Sequence, residues 1–178
     1  RSMYLVQKKP NGTGDALMQC EDYIKKYENI FVFVGDAPFI NSSLIKKLKA
    51  THMRTNADCS FLYASFPFAL PYARLVFNLD GDLQYLVESN HANNDELKLR
   101  QMFTSHYLFR SSRLLQNLKH IPIDRDTKEY NLTDLINIYI NKKLNLAPIF
   151  IDKFWRLMGV NTIDDAKFLE TFKNSEKK

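Results

Sequence analysis

The chain has 178 residues, of which 45% are apolar, 25% charged and 13% aromatic, the proportions of an ordinary globular protein with one core. Its net charge of +5 comes from lysines scattered along the chain and densest at Lys173–Lys178, with no basic stripe interleaved with aromatics, which argues against a nucleic-acid groove. Cys20 and Cys59 lie far apart among apolar residues, which excludes a disulfide framework or a zinc site, and no apolar run approaches the roughly 18 residues of a membrane span. No secretory signal is visible. The chain is therefore expected to be cytoplasmic, without a membrane or nucleic-acid partner; a homo-oligomer is compatible with it.

Met3–Gln7 reads as a short strand, and Asn11-Gly12-Thr13-Gly14 as a turn. Asp15 opens a helical pattern with Ala16, Leu17, Cys20, Tyr23 and Ile24 at helical spacing, broken at Asn29. Ile30–Val34 is a continuous apolar run of the kind that suits a strand buried on both faces at the centre of a parallel sheet. It ends in Gly35-Asp36. Asn41 or Ser42 caps the next helix, which turns Leu44, Ile45 and Leu48 inward.

Cys59–Ser65, Arg74–Phe77 and Leu83–Val87 read as strands, the last two joined by a hairpin at Asp80-Gly81. A short helix at Asp95–Arg100, a strand at Met102–Phe109 and a helix at Ser111–Leu118 follow. Asn131–Lys143 is a helix with Leu132, Leu135, Ile136 and Ile140 on one face; Leu146–Ile151 is a strand and Asp164–Phe172 the closing helix. Alternating strands and helices predict an α/β fold with a single domain over residues 1–178, and the hairpin makes its sheet mixed.

Asp36 directly follows a predicted strand, where ligands bind in open α/β sheets. A carboxylate there can hold Mg²⁺, which takes one or two carboxylates plus substrate phosphates; a turn-forming aspartate has the same local pattern. Gln7 and Gly12-Thr13-Gly14-Asp15 form a glycine turn before a helix, able to approach a base or phosphate or simply to change direction. It is neither a P-loop nor a dinucleotide fingerprint. Glu88, at a strand end, can accept a hydrogen bond from a sugar hydroxyl or lie on the surface. Glu129-Tyr130-Asn131-Leu132-Thr133-Asp134 and Gly159-Val160-Asn161-Thr162 read as helix entries. His52 and His106 read as structural, and no nucleophile elbow is present.

The order of these pieces resembles the uridylyltransferase domain of N-acetylglucosamine-1-phosphate uridylyltransferases, within the sugar-1-phosphate nucleotidyltransferases. The resemblance runs from about Val6 to about Glu170. It rests on Gln7 with Gly12-Thr13-Gly14, Val34-Gly35-Asp36-Ala37-Pro38, Pro71-Tyr72-Ala73-Arg74, Val87-Glu88, Glu129-Tyr130 with Leu132-Thr133-Asp134, and Gly159-Val160-Asn161. It implies a Rossmann-like (GT-A-like) α/β domain whose mixed central sheet is flanked by helices. It implies that Gln7, Gly12 and Thr13 contact the base of a nucleoside triphosphate, and that Asp36 and Asn161 hold Mg²⁺ beside the nucleotide. Glu88, Thr133 and the backbone at Ala73 would meet the sugar 1-phosphate.

The departures fall mainly on the acceptor side. Ala73 stands for a usual glycine, Phe103 for a sugar-binding asparagine, and Asn131 for a tyrosine. The family's glycine-rich opening loop, with its arginine and lysine, has no counterpart here. The chain is thus expected to lack the first βα unit and to be nearly inactive by itself. Another sugar or a choline-type phosphate as acceptor, and a non-catalytic module on the same fold, are the alternative expectations.

Overall fold

The fold is described for residues 3–175 of a computed structural model. Its framework is a six-stranded mixed sheet made of β1 (Asn29–Val32), β2 (Cys59–Ser65), β3 (Arg74–Phe77), β4 (Leu83–Val87), β5 (Gln101–Arg110) and β6 (Leu146–Phe150). The spatial order is β4-β3-β5-β2-β6, with β1 also paired to β5. Among the described residues, β2 and β6 run parallel and the other pairings are antiparallel.

Side-chain alternation along β2 and β5 builds a core on each face. Cys59 and Phe61 of β2 join Phe103, Tyr107 and Phe109 of β5 on one face. That face is covered by α1 (Thr13–Met18), α2 (Glu21–Ile24), α4 (Ser111–Leu118) and α5 (Asp134–Asn141), through Leu17, Ile24, Leu114, Leu118, Leu135 and Ile136. Leu62, Ala64, Met102 and Leu108 point the other way. There they meet Leu44 and Leu48 of α3 (Ser42–Thr55) and Leu169 of α6 (Ile163–Ser175). Asn41 caps α3: its Oδ1 accepts the Leu44 N–H at 3.0 Å. Helices on both faces of a mixed sheet are the architecture the sequence predicts.

Three expectations are corrected. Residues 3–7 form no strand, and Met3, Tyr4, Leu5 and Val6 are exposed, because no described strand edge pairs with them. The apolar run after Asn29 is a strand only to Val32; it pairs antiparallel with β5 and leaves Phe31 exposed, so it is a sheet edge and not a doubly buried centre. Apolar content signals burial of the side chains but not which backbone edge finds a partner. The helix opened near Asp15 breaks into α1 and α2 around Gln19 and Cys20.

Gly12 shows what its turn requires. Its φ is +96°, and a Cβ there would lie 2.6 Å from the Tyr130 carbonyl oxygen. The close approach is to the chain's own backbone: the Tyr130 carbonyl accepts the Gly14 N–H at 2.7 Å, and the Tyr130 N–H donates to Asn11 O at 2.8 Å. Gly12→Ala is therefore expected to cost more than about 1 kcal/mol, read as a fall in thermal midpoint. Gly81→Ala, at φ +87° with nothing within 4 Å, should cost less.

Candidate functional site

The candidate site is a gap in the sheet. β2 occupies one edge of β5 from Gln101 to Phe109. The opposite edge is shared: β1 pairs with Tyr107–Arg110 and β3 reaches Met102. Between them, on this second edge, the Phe103 N–H still donates to Ala73 O at 2.9 Å, but among the described residues no strand pairs with residues 104–106, and Ser105 takes φ +56°. The chain leaves β1 through residues 33–36 and enters β3 through residues 71–73, so Asp36 and Ala73 reach this gap from opposite ends. A cavity of about 140 Å³ occupies it. Asp36, Ala73, Glu88, Phe103, Thr133 and Gly159 line it, together with Val34, Tyr72 and Ser105.

A second, more apolar groove of about 490 Å³ lies against the free edge of β1, bounded by Thr13, Ala16 and Leu17 of α1 and by Tyr107 and Leu132. Val34, Asp36 and Ser105 line both spaces. Asp36 thus stands where the two meet.

The acceptor-side residues are held by a few specific contacts. Asn137 of α5 clamps the edge of β4: its Nδ2 donates to Leu86 O and its Oδ1 accepts the Leu86 N–H, both at 2.8 Å. This stands in for a neighbouring strand and brings Glu88, just past β4, toward Thr133, the cap of α5. The His91 N–H donates to Glu88 O at 3.0 Å, and His91 Nε2 lies 2.6 Å from Asp124 Oδ2. Asp124 Oδ1 in turn accepts the N–H groups of Asp126 and Thr127. His91, Asp124 and Asp126 could by proximity hold a metal ion, but these hydrogen bonds already commit the buried Asp124 carboxylate. The group is a latch between the Glu88 turn and the segment leading to Thr133.

Electrostatics follow from this crowding. Burial, followed by the Glu88 and Asp124 carboxylates, pushes Asp134 up to about 6. The sign is that of a folded pKa raised above the unfolded one. The unfolded chain loses its proton first, so Asp134's contribution to stability falls as pH rises from about 4 to about 6. Asp134→Asn is expected to gain thermal midpoint over the parent across that interval, with a constant difference above it; melting curves at stepped pH check this. Hydrogen bonds from His91, Thr127 and Asp126 hold Asp124 well below the usual carboxylate range, so its stabilisation is lost only in strong acid. Burial lowers His106 to about 4. His52, also lowered by burial, sits between Ser60 Oγ at 2.9 Å and Asn29 Oδ1 at 3.0 Å. Both are neutral core histidines.

The remaining expected site residues lie as follows. Gln7 does not line either space; its Nε2 donates to Gly12 O at 3.2 Å and to Asp15 Oδ2 at 2.5 Å. Thr13 lines the larger groove, and its Oγ1 accepts the Leu132 N–H at 3.0 Å. Asn161 is exposed, outside the residues lining the cavity, next to Val160, whose N–H donates to Asp36 O at 2.9 Å. The Asp36 carboxylate has no hydrogen-bond or ion-pair partner among the described residues. An unpaired carboxylate beside an amide-bearing turn offers the hard oxygen donors that Mg²⁺ prefers. Tyr72 entered the sequence reading only as part of the Pro71-Tyr72-Ala73-Arg74 motif, and neither it nor Ser105 or Leu157 was given a role; the tyrosine's position just ahead of a strand start was the available signal.

No family model matches the chain. A bifunctional protein GlmU from Streptococcus equi subsp. zooepidemicus is 31% identical over 88% of this chain, and one from Latilactobacillus sakei is 32% identical over 90%. The chain is a homologue of the GlmU proteins. It spans 34% and 35% of the length of these two relatives. A solved structure from Bacillus anthracis, assigned as a glucose-1-phosphate thymidylyltransferase and bound to sucrose, superposes with a TM-score of 0.70. It covers 96% of this chain and 64% of its own at 18% identity, and so shares the fold. No described helix is long and apolar enough to cross a membrane.

Proposed function

We propose that the chain belongs to a sugar-1-phosphate nucleotidyltransferase that transfers UMP from UTP to N-acetylglucosamine 1-phosphate and releases pyrophosphate. The observation that carries this reading is the position of Asp36 at the junction of two spaces, one bounded by Thr13 and the other by Glu88 and Thr133. A nucleotide in the first and a sugar 1-phosphate in the second would bring their phosphates together beside that carboxylate. Homology to GlmU supports the same reaction class.

In the reaction, a phosphate oxygen of the sugar 1-phosphate forms a bond to the α-phosphorus of UTP as the bond to the pyrophosphate oxygen breaks, so no side-chain nucleophile is needed. Asp36 and Asn161 would hold Mg²⁺, which when bound supplies charge neutralisation on the phosphates. Thr13, with the turn braced by Gln7 and Gly12, would border the base. Glu88 and Thr133 would receive the sugar hydroxyls, and buried Ala73 would form the wall between them. The protein's contribution is alignment of two anions that repel each other in water.

One observation favours a different acceptor. The cavity presents Phe103 and Ala73 where a sugar-binding asparagine and a glycine are expected. The test is a pyrophosphate-release screen with UTP and Mg²⁺ across N-acetylglucosamine 1-phosphate, other hexose 1-phosphates and phosphocholine. It is run on the chain alone and on the chain joined to a family member's glycine-rich opening segment. Turnover confined to N-acetylglucosamine 1-phosphate is the expected result. Turnover only with another acceptor moves the assignment to that substrate. No turnover and no UTP binding in either form selects a non-catalytic module.

A further inference from the structure

Tyr72 lines the cavity beside Asp36 and Gly159. Its hydroxyl oxygen accepts the Gly159 N–H at 3.0 Å. Gly159 is buried, so this N–H needs a protein partner, and the phenol is the one it has. The same glycine presses on Asp36: a Cβ at position 159 would lie 2.7 Å from Asp36 Oδ2. One residue further on, the Val160 N–H donates to Asp36 O at 2.9 Å. The turn that carries Asn161 is therefore held against Asp36 from two sides, by the Asp36 backbone and by the Tyr72 hydroxyl.

Tyr72 is itself firmly placed. Its ring packs edge-on against Phe66, with centroids 5.6 Å apart. Its carbonyl accepts a hydrogen bond from the guanidinium of Arg74, a residue 1% exposed. The hydroxyl thus projects from a packed wall, and accepting the Gly159 N–H leaves its own proton free to be donated elsewhere.

We propose that Tyr72 is a positioning residue: its hydroxyl registers the Gly159–Val160–Asn161 turn on Asp36 and so sets the spacing of the two oxygen donors that would share a cation. This rests on the reading of Asp36 and Asn161 as a cation pair given above. It couples the sugar side of the site to the metal side through one hydrogen bond.

The experiment compares the parent with Tyr72→Phe by nuclear magnetic resonance on the ¹⁵N-labelled 178-residue chain. Amide hydrogen exchange at Gly159 reads the hydrogen bond. Paramagnetic broadening by added Mn²⁺ reads the cation pair, through the Asp36 and Asn161 amides. Tyr72→Phe keeps the ring and removes only the acceptor. The expected result is faster exchange at Gly159, together with a several-fold higher Mn²⁺ concentration for equal broadening. A side chain with a merely structural role would lower the melting temperature without moving the Mn²⁺ response. Gly159→Ala attacks the same contact from the Asp36 side; it should weaken the Mn²⁺ response likewise and serves if Tyr72→Phe does not fold. Unchanged Gly159 exchange, or faster exchange with an unchanged Mn²⁺ response, overturns the proposal. Absence of Mn²⁺ broadening in the parent removes the cation-pair reading itself and with it the coupling proposed here, even where exchange at Gly159 rises.

Discussion

In the chain joined to a family member's glycine-rich opening segment, Asp36→Ala is expected to lower nucleotidyl transfer by at least about 10²-fold, the scale of losing one preorganised electrostatic partner. Asp36 is the carboxylate shared by both spaces, and no other protein group among the described residues engages it. Its replacement should leave the fold intact, because the side chain is exposed. Melting temperature should therefore hold while turnover collapses. Asp36→Asn, which keeps an oxygen but not the charge, should fall between and demand more Mg²⁺. The unjoined chain is expected to sit near background beforehand. Phosphoryl-type transfer needs several donors around the phosphates at once, and the larger groove, against the free edge of β1, offers a mainly apolar lining to that charge. Equal, robust turnover with and without the opening segment would sink this account, and a fully active Asp36→Ala would remove Asp36 from the site.

How much of this was legible in the sequence depended on whether the signal was local. The hairpin at Asp80-Gly81, the bounds of α4 and the strand at Cys59–Ser65 came through because turn chemistry, helical spacing and a short run of apolar residues are properties of adjacent residues. Asp36 was expected directly after a strand; it lies four residues past the end of β1. The strand itself was misread, since Ile30–Val34 is as apolar as a sheet centre, yet its backbone pairs along one edge only. Residues 3–7 carry a strand's composition without a partner to complete one. The Gly12 turn was legible as glycine-dependent; that Tyr130 is what its φ accommodates depends on a contact more than a hundred residues away. The Asn137 clamp and the His91–Asp124 latch were invisible for the same reason: each joins segments whose proximity only the fold creates.

Phe103 shows why the acceptor side cannot be read by substituting family residues one at a time. Its ring, 3% exposed, meets Phe61 edge-on with centroids 5.2 Å apart and Tyr107 at 5.0 Å. It is part of the core as well as a wall of the cavity. Phe103→Ala is expected to cost about 3–5 kcal/mol, a fall in thermal midpoint of about 10 °C for a chain of this size. Phe103→Leu, which refills most of the volume, should cost less than about 1.5 kcal/mol. Phe103→Asn, which puts back the family's amide, should destabilise at least as much as alanine. It would set an unpaired polar group between Phe61 and Tyr107 rather than present it to a sugar. Chemical denaturation of the three variants reads the order directly. An asparagine variant as stable as the parent would show that this ring is not packed as described, and would return position 103 to the sugar as a simple point of contact.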